Sequence, residues 1–85
     1  MSQLIRTGSN GALVRDLQSV INLVQRPAPT LTVDGIFGPK TYAAVITFQG
    51  RSALKADGLV GPLTSRALVG AVLSMALPQL RTQPR

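Results

Sequence analysis

The chain has three carboxylates, Asp16, Asp34 and Asp57, and the last two stand at matching places in a repeated sequence. A glycosidase uses two carboxyl groups on either side of the bond it breaks, and Asp34 with Asp57 is the one pair that could be nominated. Each of these two aspartates is followed by glycine, and the Asp-Gly pair predicts a turn just before a predicted helix. A carboxylate there ordinarily accepts backbone N–H bonds, so a structural role explains both better than catalysis does.

Other residue types on which hydrolases depend are missing, since the sequence contains no His, no Cys and no Glu. This excludes Ser-His-Asp and Cys-His nucleophile pairs and the usual sets of zinc ligands. Lys40 and Lys55 have no nucleophile motif with which to form a serine–lysine dyad. We therefore predict that the chain is not an enzyme and that it holds no metal ion and no cofactor.

The repeat predicts two turns that each open a helix. Its copies read T-V-D-G-I-F-G-P-K-T-Y-A-A-V at residues 32–45 and A-D-G-L-V-G-P-L-T-S-R-A-L-V at residues 56–69. Gly35 and Gly58 follow the aspartates, and glycine accepts the positive φ of such a turn without a Cβ penalty. Pro39 and Pro62 suit the first position of a helix, where the missing N–H costs nothing. Two apolar residues between turn and helix form a plug for the core.

A third, weaker copy of the turn motif lies upstream, before the first predicted helix. Ser9 and Asn10 are N-cap candidates for that helix. Apolar side chains then recur on one helical face, at Leu13, Leu17, Val20, Ile21 and Val24. Polar side chains fall opposite, at Arg15, Gln18, Ser19 and Asn22. This pattern is typical of an amphipathic helix that packs on a core. The predicted fold is all-α, a compact three-helix bundle with helices near residues 11–24, 39–49 and 62–77, joined by two Asp-Gly turns.

Three spaced segments together resemble a known family. They read L-I-R-x-G-S-x-G-x-x-V-x-x-L-Q from Leu4, V-D-G-I-F-G-P from Val33 with Thr41, Ala44-Val45 and Phe48-Gln49, and A-D-G-L-V-G-P from Ala56 with Thr64 and Leu68. In combination these motifs are similar to the bacterial peptidoglycan-binding domain of the three-helix type, found in cell-wall hydrolases and phage endolysins. The resemblance covers residues 4–69. It implies a bundle of three helices that holds peptidoglycan and does no chemistry itself.

Composition agrees with one small domain, since the chain has 85 residues, of which 45% are hydrophobic. A domain of this size buries only about 60% of the surface that its unfolded chain exposes, so its stability is modest. We predict no membrane span, because no apolar stretch approaches about 20 residues. Residues 1–10 have no apolar run long enough for a signal peptide. If the protein acts at the bacterial cell wall or in the periplasm, we expect export by another route or within a larger assembly.

The formal charge of +6 raises the question of nucleic-acid binding. The Lys and Arg residues are scattered singly and form neither a run nor one helical stripe. No platform of aromatic side chains for stacking bases is visible. We therefore predict no nucleic-acid partner, and a diffuse positive field suits an anionic wall polymer equally well.

Six residues on and around the second helix are predicted to bind ligand: Tyr42, Gln49, Ile46, Asp34, Thr41 and Arg51. Tyr42, Ile46 and Gln49 share one outward face, and an amide both donates and accepts hydrogen bonds, as sugar hydroxyls and peptide groups require. Arg51 could pair with a stem-peptide carboxylate. In the structural alternative, Gln49 caps its own helix and Tyr42 only covers the core.

The segment after residue 69 lies outside the resemblance, which divides the chain into a domain at residues 1–69 and a C-terminal helix extension and tail at residues 70–85. Core-facing side chains of the third helix are expected at Leu63, Ala67, Leu68, Ala71, Val72 and Met75. Val69, Leu73 and Ala76 fall almost opposite, so this helix is expected to be buried on both sides. Pro78 is expected to end it. We predict an interface there with a second copy, a partner protein or the chain's own tail.

The resemblance implies a function without catalysis, namely binding of bacterial peptidoglycan that targets a partner enzyme or a secreted assembly to the cell wall. The alternative is a protein–protein interaction or adaptor module with the same fold, acting through the apolar C-terminal helix. Two departures from the family favour that alternative: the chain starts at Met1 with no catalytic domain attached, and it continues past the family pattern.

Overall fold

Three α-helices make up most of the described chain. The computed structural model describes residues 4–25 and 30–76. Helix α1 spans Ala12–Val24, α2 spans Pro39–Arg51 and α3 spans Pro62–Ala76. The predicted all-α three-helix bundle is confirmed, although Leu77 and Pro78, at the predicted end of the third helix, lie outside the described residues. None of the described helices is long and apolar enough to cross a membrane.

The core between the helices is filled by one cluster of apolar side chains. Its fully buried members are Val14, Leu17, Ile21, Leu31, Phe37, Val45, Phe48, Val60 and Leu68. Phe37 and Val60 are the equivalent residues of the two repeated turns, and both are almost completely buried. The predicted plugs therefore seal the core, but through the second residue of each apolar pair, because Ile36 is 59% exposed.

Three predicted core positions, Leu13, Leu63 and Met75, are wrong, because all three side chains are exposed. The buried face of α1 is formed by Val14, Leu17, Gln18 and Ile21 instead. Leu63 precedes the buried Leu68 by five residues, about 140° round the helix, so the two do not share a face. Met75 shares the direction of Leu68 but lies in the last turn of α3, outside the buried cluster.

The repeated turns have the predicted backbone. Gly35 has a φ of 76° and Gly58 a φ of 75°, in the left-handed region that favours glycine. Pro39 and Pro62 are the first residues of α2 and α3, as predicted. The predicted side-chain cap of α1 is wrong, because the N-cap residue is Gly11 and no side chain bonds to that helix end.

The segment before α1 pairs with both turns. Its two isolated β-bridges join Ile5 to Val60 and Asn10 to Ile36. The backbone N–H of Gly8 donates to the carbonyl of Phe37 at 3.1 Å, and the N–H of Phe37 donates to the carbonyl of Ser9 at 3.0 Å. Ile5 and Val60 exchange both of their backbone hydrogen bonds, at 3.1 and 2.8 Å. The segment that precedes α1 therefore holds the plug residues of both turns in place.

Candidate functional site

A buried glutamine of α1 holds the first turn. Gln18 Nε2 donates to Oδ1 of Asp34 at 3.0 Å, to the carbonyl of Ile36 at 3.0 Å and to Oγ1 of Thr41 at 3.2 Å. Its Oε1 accepts the N–H of Gly35 at 2.9 Å. Oδ1 of Asp34 also accepts the N–H of Ile36 at 2.9 Å. One side chain thus joins α1, the turn and the start of α2.

A second glutamine, on α2, holds the second turn in the same way. Gln49 Nε2 donates to Oδ1 of Asp57 at 3.3 Å, to the carbonyl of Leu59 at 3.0 Å and to Oγ1 of Thr64 at 3.1 Å. Its Oε1 accepts the N–H of Gly58 at 2.9 Å. Oδ1 of Asp57 accepts the N–H of Leu59 at 2.9 Å. The sequence repeat is therefore also a repeat of hydrogen bonds.

These bonds correct two predictions. Gln49 was expected to face solvent and meet a ligand, yet it is 1% exposed and its amide bonds to the second turn. Gln18 was expected on the polar outer face of α1 and is equally buried. The physical reason is that buried polar groups of a turn need partners inside the protein. The expectation that Asp34 and Asp57 accept backbone N–H bonds is confirmed.

A groove of about 410 Å³ with both polar and apolar lining residues opens beside the first turn, and we call it the first-turn groove. Gln18 and Thr41 contribute its buried polar part. Asp34 adds a carboxylate and Lys40 an ammonium group, both exposed, and the exposed Ile36 adds an apolar surface. Such a groove can bind a short polar chain that carries amides and charged groups.

The carboxylate of the first-turn groove is held in its ionised form. The backbone N–H of Ile36 lowers the pKa of Asp34 below its ordinary value of 3.8, and the amide of Gln18 lowers it further. The guanidinium of Arg15 has a smaller effect in the same direction. At neutral pH the groove therefore presents a full negative charge beside Lys40.

We expect acid to remove part of the stability of the domain through Asp34. Because its pKa is lower in the folded state than in the unfolded chain, ionisation of Asp34 favours folding. This contribution is complete above the ordinary value of 3.8 and is lost as the pH falls through the lower pKa of the folded state. Thermal unfolding of the wild type and of Asp34→Asn, followed from neutral pH into acid, measures it. The difference in Tm between the wild type and Asp34→Asn should become smaller in acid. A difference that stays constant with pH would contradict the stabilising role of ionised Asp34.

The six predicted ligand residues do not form one cluster. Asp34 and Thr41 line the first-turn groove. Tyr42 is 43% exposed and its ring lies against Gly58 of the second turn, where Gln49 is also bound. The other two lie further along α2: Ile46 is half-buried and Arg51, the last helical residue, is exposed. Ligand contact by the exposed members stays a prediction.

The sequence prediction missed Gln18, Ile36 and Lys40. A signal for the glutamine was present, because an apolar residue followed by Gln precedes each turn, as Leu17-Gln18 and as Phe48-Gln49. Ile36 and Lys40 carry no such signal, since an apolar residue after a turn and a lysine at a helix start are ordinary in many folds. Their place in a groove is a property of the folded chain.

A second groove, which we call the α1–α3 groove, is apolar and has a volume of about 350 Å³. Leu13 lines it from α1, and Val69 and Leu73 line it from α3. Val69 and Leu73 are exposed, and the predicted interface there stays a prediction. Ala76, its third predicted member, ends α3, and its side chain lies outside the described part of the structure. Asp16, the carboxylate that no turn uses, also lines this groove.

Among residues 4–25 and 30–76, no group of three His, Cys, Asp or Glu residues could hold a metal ion. Asp34 and Asp57, the pair nominated for glycosidase chemistry, each accept two hydrogen bonds through Oδ1. Both carboxylates are therefore part of the hydrogen-bond networks of their turns.

Comparison with protein families finds a match over residues 10–68, to the family described as "Putative peptidoglycan binding domain". The zinc D-Ala-D-Ala carboxypeptidase of Streptomyces albus G is 43% identical over 63 residues, which are 74% of this chain and 25% of that protein. The spore cortex-lytic enzyme of Bacillus cereus is 41% identical over 70 residues, which are 82% of this chain and 26% of that protein. The chain thus spans about a quarter of the length of these curated relatives.

The fold is also similar to a solved structure, the crystal structure of the SleB N-terminal domain. The two share a TM-score of 0.75 and 40% sequence identity. The likeness covers 81% of this chain and 92% of the solved one. Fold and sequence therefore agree over nearly the whole of a separately solved domain.

Proposed function

The chain belongs to the peptidoglycan-binding domain family, and from this premise we propose that it binds bacterial peptidoglycan through the first-turn groove without catalysing a reaction. The first-turn groove is the observation that carries the proposal. Peptidoglycan combines sugar hydroxyls with peptide stems that contain amides, carboxylates and methyl groups. Lys40 can pair with a stem carboxylate, Asp34 can accept from an amide or amine, and Ile36 can contact a methyl group.

The proposed role of this module is to hold a partner enzyme or a secreted assembly at the bacterial cell wall. The relatives described above are about four times as long as the matched segment, and their names are those of enzymes. By analogy, this module would target a partner enzyme or a secreted assembly to the cell wall and would act there or in the periplasm. The module itself would contribute affinity and position, not chemistry.

We expect Lys40→Ala to weaken retention on purified insoluble sacculi several-fold, most clearly at low salt, because it removes the cation of the first-turn groove. Its free energy of unfolding should change by less than about 0.5 kcal/mol, since Lys40 is exposed. A pulldown at two salt concentrations measures the retention. Arg66→Ala is the control, because it removes an equal charge from an exposed position of α3. Equal retention of the two variants would show that Lys40 acts only through net charge.

Protein interaction through the α1–α3 groove is the second candidate function, and Asp16 is the observation that favours it. Open apolar grooves on soluble domains are seldom accidental, and this one has a carboxylate in its wall. We propose as its occupant an apolar protein segment with one Lys or Arg to pair with Asp16. Two copies of this chain, each with a formal charge of +6, repel each other, which disfavours self-association.

A synthetic amphipathic helix with a leucine face and one arginine is the probe for this groove. We expect Leu73→Asp to abolish its binding in calorimetry, because a charge in the apolar wall must be desolvated when the groove is covered. Leu63→Asp should bind normally, since Leu63 is 70% exposed on another face of α3. Light scattering should show a monomer for the intact chain. A dimer that Leu73→Asp dissociates would make a second copy the occupant instead.

A further inference from the structure

The two repeated turns share one backbone frame but differ in the side chain that covers their glycine. At the first turn, Arg15 lies over Gly35, with its Cγ 3.3 Å from the position that a Cβ would take. At the second turn, the ring of Tyr42 lies so close to Gly58 that a Cβ would overlap it. The first turn therefore presents a guanidinium, and the second presents an aromatic ring.

The residues that open the following helices differ in the same sense. Lys40 follows the Gly-Pro of the first turn, and its counterpart after the second turn is Leu63. Both side chains are exposed, so the exchange replaces a surface cation by a surface apolar group. The cations at the first turn can therefore pair with charged groups of a ligand. The aromatic ring and the apolar side chain at the second turn suit an uncharged ligand with an apolar face.

We infer that the second turn is a carbohydrate subsite, in which Tyr42 stacks against a sugar ring of the glycan strand and Asp57 accepts hydrogen bonds from its hydroxyls. The C–H groups on one face of a pyranose are apolar and pack against the electron-rich face of an aromatic ring. The phenol and a carboxylate offer the polar partners that sugar hydroxyls need. This inference rests on the proposed function, because it assigns the glycan part of the same polymer to a second place on the module.

The second turn is also rigid, as a stacking platform must be. Gln49 accepts the N–H of Gly58 at 2.9 Å and donates to Asp57 and Thr64, so the turn is fixed from the inside. Glycine at position 58 supplies both the positive φ and the space in which the Tyr42 ring lies. A ring held before the ligand arrives loses little conformational entropy on binding.

The chain contains one Tyr and no Trp, so its intrinsic fluorescence reports on Tyr42 alone. The probe is a hexamer of N-acetylglucosamine, which has a glycan backbone and no peptide. Titration should change the tyrosine emission of the wild type. Calorimetry should show binding weakened about tenfold or more in Tyr42→Leu, and less in Tyr42→Phe, which keeps the stacking ring and loses only the hydroxyl. Tyr42→Leu keeps an apolar side chain over Gly58, and its thermal unfolding shows whether the fold is retained.

Retention of the same proteins on sacculi separates the subsite from the function on which it rests. Leu23→Ala, at an exposed apolar position of α1 outside both grooves, should match the wild type in both assays. If the wild type is retained on sacculi but does not bind the hexamer, or if Tyr42→Leu binds it normally, the carbohydrate subsite is wrong and peptidoglycan binding stands. If the wild type is not retained on sacculi, the proposed function fails and the subsite fails with it.

Discussion

Phe37→Ala is expected to destabilise the domain by about 3–5 kcal/mol, the cost of removing a large aromatic side chain from a packed core. Phe37 is 1% exposed and belongs to the main apolar cluster. Its backbone is bonded on both sides, to Gly8 and Ser9, which limits how far the turn can collapse into the space left behind. Because a small domain has only about 5–15 kcal/mol in total, much of its stability would be lost.

Urea denaturation of Phe37→Ala measures this loss, and Ile36→Ala is the matched control. Ile36 is the other member of the same apolar pair but is exposed, so its replacement should cost less than about 0.5 kcal/mol. Equal midpoints for Phe37→Ala and the wild type would mean that Phe37 is not in the core in solution. It would then become a candidate for ligand contact.

The helices and turns could be predicted because their signals are local. Pro39 and Pro62 fix where two helices begin, since proline suits the first helical position and few others. Gly35 and Gly58 mark the turns because positive φ penalises every residue with a Cβ. Each of these signals depends on a few neighbouring residues, so it could be recognised before the tertiary structure was known.

The candidate site could be predicted only in part, because it depends on which side chains the folded chain brings together. Helical spacing placed Gln49 beside Tyr42 on an outward face, and amides are mostly found at surfaces. The fold instead supplies buried partners for the amide, from a turn eight residues further on for Gln49 and sixteen for Gln18. Buried turn groups that need hydrogen bonds override the usual preference of glutamine for solvent. Hydrophobic periodicity does not report where such partners will lie.

Gln49→Leu is therefore expected to destabilise the domain by more than a substitution at a surface residue would. The variant leaves the buried N–H of Gly58 and the buried hydroxyl of Thr64 without their amide partner. Each buried polar group without a partner costs about 1–3 kcal/mol, so the two together predict a loss of about 2–6 kcal/mol. Guanidinium denaturation measures this loss, and circular dichroism shows whether the helices survive.

Gln18→Leu provides the internal comparison, because Gln18 makes the same set of bonds to the first turn. The two variants should lose similar amounts of stability if the repeated network is what holds both turns. Sacculus retention, measured under conditions in which each variant is still folded, separates this role from ligand contact. A Gln49→Leu protein that unfolds like the wild type but is no longer retained would restore Gln49 as a ligand residue. Loss of stability in both variants would instead show that each glutamine holds its turn, with Asp34 and Lys40 exposed at the first turn and Tyr42 at the second.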